Sequence, residues 1–279
     1  MFDNCQTKQC REVTWQEVYE MVRSELLRTK TEAVRTMSAG LDELPEEERR
    51  RREKEVKRMK STWFPGIMPA CHCSEGGRNL DFVTGYTGFS QADFDHIPAG
   101  EVEAVEARLR EVPEVMLMHR SMRGEGLHVF FRLAPDPSEG RKARSYQEVY
   151  IQGYRQGNMY LAKKAGVPYD KALEPPVHLS CINYDPDAYY NPQAVAFNVD
   201  MEHPVDKNGQ CITENGQAKK RRKKGGRKRG GDDGTTKAEL IVEFLRTKPL
   251  RYDVLSRKIQ IEEKSEKRKE KSEKVTRDE

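Results

Sequence analysis

Tyr86-Thr-Gly-Phe-Ser-Gln-Ala-Asp-Phe-Asp95 is an apolar run that ends in two acids separated by a single residue. It reads as a strand, and the rest of the fold is built around it. Side chains of a strand alternate between faces, so Asp93 and Asp95 project from the same side and could grip one divalent ion. Further along, Ser121-Met-Arg-Gly-Glu-Gly-Leu-His128 joins Met116-Leu-Met118 to His128-Val-Phe-Phe-Arg-Leu133 through a glycine-containing turn. Backbone amides in such a turn approach phosphate closely, and Ser121, Arg123 and His128 flank them. Paired carboxylates beside a phosphate-binding hairpin point to metal-dependent chemistry on a nucleotide.

Outward from these segments, strands at 80–84, 88–95, 114–120, 127–133 and 177–182 alternate with helices at 100–112 and 145–165. Val102, Val105 and Leu109 share one face of the first helix. Tyr146, Val149, Tyr150, Tyr154 and Leu161 share one face of the second, which makes the tyrosines core rather than base-stacking residues. The pattern predicts an α/β (α+β) domain over 63–200, a mixed sheet flanked by helices. Residues 1–62 are expected to form a helical N-terminal extension. Within it Thr14-Trp-Gln-Glu17 is a capping box that opens a helix with Val18, Met21, Val22 and Leu26 at helical spacing. Pro45 starts a second helix, Glu46 to Lys60, so dense in Glu and Arg that it reads as a solvated arm.

Charged residues make up 34% of the 279 and hydrophobic residues 35%, so the whole length is not core. No apolar run approaches the roughly 20 residues needed to span a membrane, and no secretory leader opens the chain, which together point to a cytoplasmic protein without a membrane partner. Net charge is +4, but Lys219, Lys220, Arg221, Arg222, Lys223, Lys224, Arg227, Lys228 and Arg229 alone carry +9, leaving the remainder net acidic. That run reads as a detachable basic tether for DNA inside a flexible linker over 201–235. Residues 236–261 look like a helix and a strand pair, too little to bury a core, hence a fragment of a following domain. Residues 262–279 read as a charged, disordered tail. The six cysteines are scattered and expected to be free thiols. Cys71-His-Cys73 is spaced too tightly for a finger-type site and no second ligand pair follows, so no zinc is expected.

Three stretches in order, Gly85 to His96, Ser121 to His128 and Asp185-Pro-Asp-Ala-Tyr-Tyr-Asn-Pro-Gln-Ala194, resemble the VirE N-terminal domain family of bacterial mobile-element proteins. That family is similar to the primase-polymerase (archaeo-eukaryotic primase) superfamily. The resemblance implies a nucleotidyltransferase of DNA replication, with Mg²⁺ or Mn²⁺ held by Asp93, Asp95 and Asp170. It also implies that Ser121, Arg123, Gly124, Gly126 and His128 bind the phosphates of a nucleoside triphosphate. DNA and a helicase or other replication module are the implied partners. Asp185 and Asp187 compete for the place of Asp170, although Asp-Pro-Asp is turn chemistry. Two departures stand out: His178 aligns where relatives carry arginine, and Met122-Arg123 replaces a smaller run. A binding module without turnover and a truncated remnant therefore stay open as alternatives. His96 and His119 read as structural.

Overall fold

Thr14 caps the first helix as its sequence demands: its hydroxyl accepts the Glu17 amide at 3.2 Å while the Glu17 carboxylate accepts the Thr14 amide at 2.7 Å. The computed structural model describes residues 1–212 apart from 8, 75–76, 96 and 135–145, and of Tyr146 the backbone alone. In chain order the helices are α1 (Trp15–Arg23), α2 (Arg28–Ser38), α3 (Glu46–Trp63), α4 (Val102–Arg110) and α5 (Tyr146–Ala165). The strands are β1 (Gly66–Ile67), β2 (Cys71–Cys73), β3 (Val83–Tyr86), β4 (Phe89–Phe94) and β5 (Val115–Arg120). They continue as β6 (Leu127–Ala134), β7 (Ser180–Cys181), β8 (Tyr189–Tyr190) and β9 (Phe197–Asn198).

The main sheet runs β4-β6-β5-β8, all antiparallel, and β9 adds a short parallel pairing to the end of β6. Its register fixes what each face carries. Asp93 lies opposite His128, and His128 opposite His119, so these three share a face with Gln91, Phe130 and Leu117. Ala92, Phe94, Leu127, Val129 and Met118 form the other face. The second set packs against Val105 and Leu109 of α4 and Leu161 and Ala165 of α5. Close approach of α5 needs Gly157, because a Cβ there would overlap the Phe131 ring.

The first face is covered by the N-terminal third of the chain, which is a layer of the fold rather than an arm. Val18 and Val22 of α1, Val34 of α2, and Val56 and Met59 of α3 join Met116, Leu117 and Phe130 in one buried cluster. Helix α3 does present its Glu/Arg face to solvent, where Arg52–Glu48 and Arg58–Glu55 form ion pairs of small individual worth. Its buried stripe was too thin to read from sequence. Helix α2 was not anticipated at all.

Three further differences have local causes. Residues 80–82 form a 3₁₀ turn rather than a strand, because the Asn79 side chain accepts the Asp81 amide at 2.9 Å. Of the strand expected at 177–182 only Ser180–Cys181 pairs, since Pro175 and Pro176 precede it and the His178 amide turns back onto the Pro175 carbonyl. Residues 201–212, expected to open the linker, are anchored to the domain at two points: Met201 and Val205 are buried, and the Val205 amide and carbonyl are both bonded to Gln152. The basic run from Lys219 to Arg229, the 236–261 fragment, the charged tail and His96 lie outside the described residues. No helix among those described is long and apolar enough to cross a membrane.

Candidate active site

A cavity of about 330 Å³ opens where β4 runs into the β5–β6 hairpin, and Asp93, Asp95, Ser121, Arg123, His128 and His178 all line it. Strand β4 delivers the two acids. Asp93 is its penultimate residue, and Asp95 follows its end. The hairpin turn 121–126 is closed by the Ser121 amide on the Gly126 carbonyl at 2.7 Å and the Gly124 amide on the Ser121 carbonyl at 2.9 Å. The Ser121 and Gly124 amides are thus spent within the turn. Gly124 adopts φ +84°, a conformation glycine takes without strain. Gly126 is required by crowding: a Cβ there would lie 2.5 Å from the Phe94 carbonyl and 3.3 Å from both an Asp95 oxygen and the Ser121 hydroxyl.

Burial dominates the electrostatics. The Asp93 carboxyl is pushed up from 3.8 to about 8 by desolvation, then by the nearby Asp95 and Asp170 charges. His128, 3.5 Å from Asp93 through Nε2, is pulled down to about 4, also mainly by burial. At pH 7 the pair is neutral rather than an ion pair, because desolvation of both outweighs their attraction. His128 Nδ1 lies 3.4 Å from the Ser180 hydroxyl. The other Asp93 oxygen, Oδ1, is buried and has no hydrogen-bond partner among the described residues, an arrangement that costs free energy unless something binds there.

Lys60 is the wall residue that sequence reasoning missed. It lies on the buried face of α3, at the i+4 position from Val56, and faces the cavity beside Arg123, Asp95 and Asp93. Burial lowers its pKa, with Arg123 adding to the effect. A lysine inside the spacing Val56, Met59, Lys60, Trp63 was the available signal, since a cation in an apolar stripe needs a reason.

Asp170 is differently placed. Its amide donates to the Asp93 carbonyl at 2.8 Å and its carbonyl accepts the Tyr154 hydroxyl at 2.9 Å, so its backbone is fixed alongside β4. Its carboxylate caps the turn 171–173 by accepting the Ala172 amide, and it does not line the cavity. Asp185 and Asp187 do not line the cavity: Asp185 is buried, accepting the Arg120 amide at 2.7 Å and the Asp187 amide at 3.2 Å. His119 is enclosed, its ring edge-on to His128 at 5.0 Å.

Among the described residues no three His, Cys, Asp or Glu side chains converge as a metal-ligand set. Asp93 and Asp95 are therefore a pair of carboxylates. A pair with an unpartnered buried oxygen suits Mg²⁺ or Mn²⁺, which commonly take one or two carboxylates and complete their shell with water and substrate phosphates. A larger cleft of about 1100 Å³, between the N-terminal segment and β2–β3, is lined by none of the candidate site residues, so size does not identify the site. No curated protein and no solved structure matches the chain. Residues 58–190, which carry every residue lining the smaller cavity, match the family model described as BT4734-like, N-terminal domain.

Proposed function

We propose that the cavity binds a nucleoside triphosphate with a divalent metal ion, and that the protein is a primase-polymerase-like nucleotidyltransferase acting in DNA replication of a mobile element. One observation carries this reading: the unpartnered buried oxygen of Asp93 lies beside Asp95 in a cavity whose other walls bear Ser121, Arg123, His128 and Lys60. The family match supports it, since that family relates to VirE-type and primase-like domains.

In this reading Asp93 and Asp95 hold the ion. When bound, Mg²⁺ or Mn²⁺ supplies Lewis-acid activation of an attacking 3′-hydroxyl and offsets charge on the pyrophosphate. The remaining work is positioning. Lys60 and Arg123 attract and orient the triphosphate. The Ser121 hydroxyl donates to a phosphate oxygen, and neutral His128 offers one N–H. Asp93 gives up its proton as the positive charge arrives, so its high pKa in the free protein is relieved by loading.

The placement of Asp170 favours a second reading, a module that binds nucleotide and DNA without turnover. Two carboxylates suffice to seat a metal-nucleotide complex, whereas the resemblance implies three for transfer. Incorporation of a labelled nucleotide into a primed DNA strand separates the two. Manganese-dependent incorporation, lost in Asp93→Ala and Asp95→Ala, supports the transferase. Tight nucleotide binding with no incorporation under any metal supports the module.

A further inference from the structure

The wall of the same cavity carries a cysteine that the proposed chemistry does not use. The Cys181 sulfur lies 3.3 Å from that of Cys5, which is remote from it in sequence. Both backbones are anchored. Phe2 and Gly66 exchange amide–carbonyl hydrogen bonds of 2.8 and 3.0 Å, and Gly66 is paired with Cys181 across β1 and β7. The Cys5 amide bonds to the Ser61 carbonyl at 3.1 Å, and the Arg78 guanidinium donates to the Cys5 carbonyl while resting 5.1 Å from the Phe2 ring centroid. Both residues are half-buried. They need close by only about 1.3 Å to reach the bonded separation of about 2.0 Å.

We propose that Cys5 and Cys181 are a thiol pair that closes to a reversible disulfide, clamping the N-terminal segment to the strand that also carries Ser180. The environment favours Cys5 as the attacking sulfur. Its hydrogen bond with Cys181 and the nearby Arg78 guanidinium lower its pKa, while that same bond, together with burial, raises that of Cys181. With a peroxide as oxidant, the Cys5 thiolate attacks the O–O bond. An S–O bond forms and the departing hydroxide takes up a proton as water. Cys181 then attacks the sulfenic sulfur: the S–S bond forms, the S–O bond breaks, and the hydroxyl leaves as water with the Cys181 proton. Two thiols and one peroxide give one disulfide and two waters. A dithiol reductant reverses the step. Other cysteines are less suited: Cys71 is buried and bonded to the Pro176 carbonyl, and burial raises both its pKa and that of Cys73. The linkage does not rest on the nucleotide reading.

The test is peptide mapping by mass spectrometry of the full chain after hydrogen peroxide treatment and thiol blocking, without reductant. A peptide pair joining Cys5 to Cys181, absent from Cys5→Ala and from Cys181→Ala, retained in Cys71→Ala and removed by dithiothreitol, is the expected result. Free Cys5 and Cys181 after full oxidation of exposed Cys10 would overturn the proposal, as would links that scatter among all cysteines. Because the readout contains no nucleotide, failure of the nucleotide reading leaves it intact and its own failure is separately visible.

Discussion

Replacing Asp93 with asparagine should stabilise the metal-free protein and, in the same variant, abolish metal-dependent nucleotide binding. The wild-type carboxyl rises from 3.8 to about 8 on folding, through burial and then the charges of Asp95 and Asp170. An unfolded chain releases this proton above its ordinary pKa, whereas the folded chain keeps it until about pH 8. The contribution of Asp93 to stability is therefore complete only at acid pH and falls as pH rises between those two values. At about 1.4 kcal/mol per pH unit, the loss accumulated by pH 7 is about 4 kcal/mol. Asparagine keeps the shape and never ionises, but its amide leaves a buried group unmatched at about 1–3 kcal/mol. The net expectation is a gain of about 1–3 kcal/mol at pH 7, a rise of several degrees in melting temperature. Thermal and urea unfolding of both proteins in EDTA, across about pH 4 to 8, measures it. Equal stability at pH 7, or parallel pH profiles for the two proteins, would refute the reasoning. Opposite signs for stability and binding would also separate lost function from a damaged fold.

His119 acts in the other direction: burial pulls it from 6.5 to about 3, so the unfolded chain gains a proton that the folded chain refuses as pH falls. The contribution of His119 should fall by about 2 kcal/mol between pH 6.5 and 5, opposite in sign to that of Asp93, so His119→Phe should lose that part of the acid-side decline in the urea midpoint profile relative to wild type; an unchanged slope would contradict it. Gly157→Ala should cost about 1–3 kcal/mol by driving a methyl into the Phe131 ring, with nucleotide affinity unaffected, as read by urea unfolding and equilibrium binding. Lys60→Met should weaken nucleotide binding by roughly 10- to 100-fold, the worth of a charge-assisted hydrogen bond, without loss of stability, since burial already opposes its charge.

The central strands and α4 and α5 were legible because their apolar residues repeat at the strand or helix period without interruption. The N-terminal layer was not. Helix α2 buries Thr31 and Val34, and α3 buries Val56 and Met59, and such sparse stripes cannot be told from a solvated helix by periodicity. With α3 misread as an arm, Lys60 could not be placed in the site. The cavity's acids and hairpin were readable because a strand and a tight turn convert sequence spacing directly into position, as the pairing of Asp93 with His128 shows. Asp170 lies on an irregular segment, where spacing says nothing about where a carboxylate points, and a backbone cap took it. Cys5 and Cys181 meet only through tertiary pairing, beyond any local pattern.

The most direct measurement is equilibrium binding of a labelled nucleoside triphosphate to the full chain, with Mn²⁺ or with EDTA, in wild type, Asp93→Ala and His128→Ala. Mn²⁺-dependent binding in the wild type, lost in Asp93→Ala and weakened in His128→Ala, is the expected result. Binding that ignores the metal and survives both substitutions would contradict the assignment of this cavity, as would no binding at all in a folded wild type.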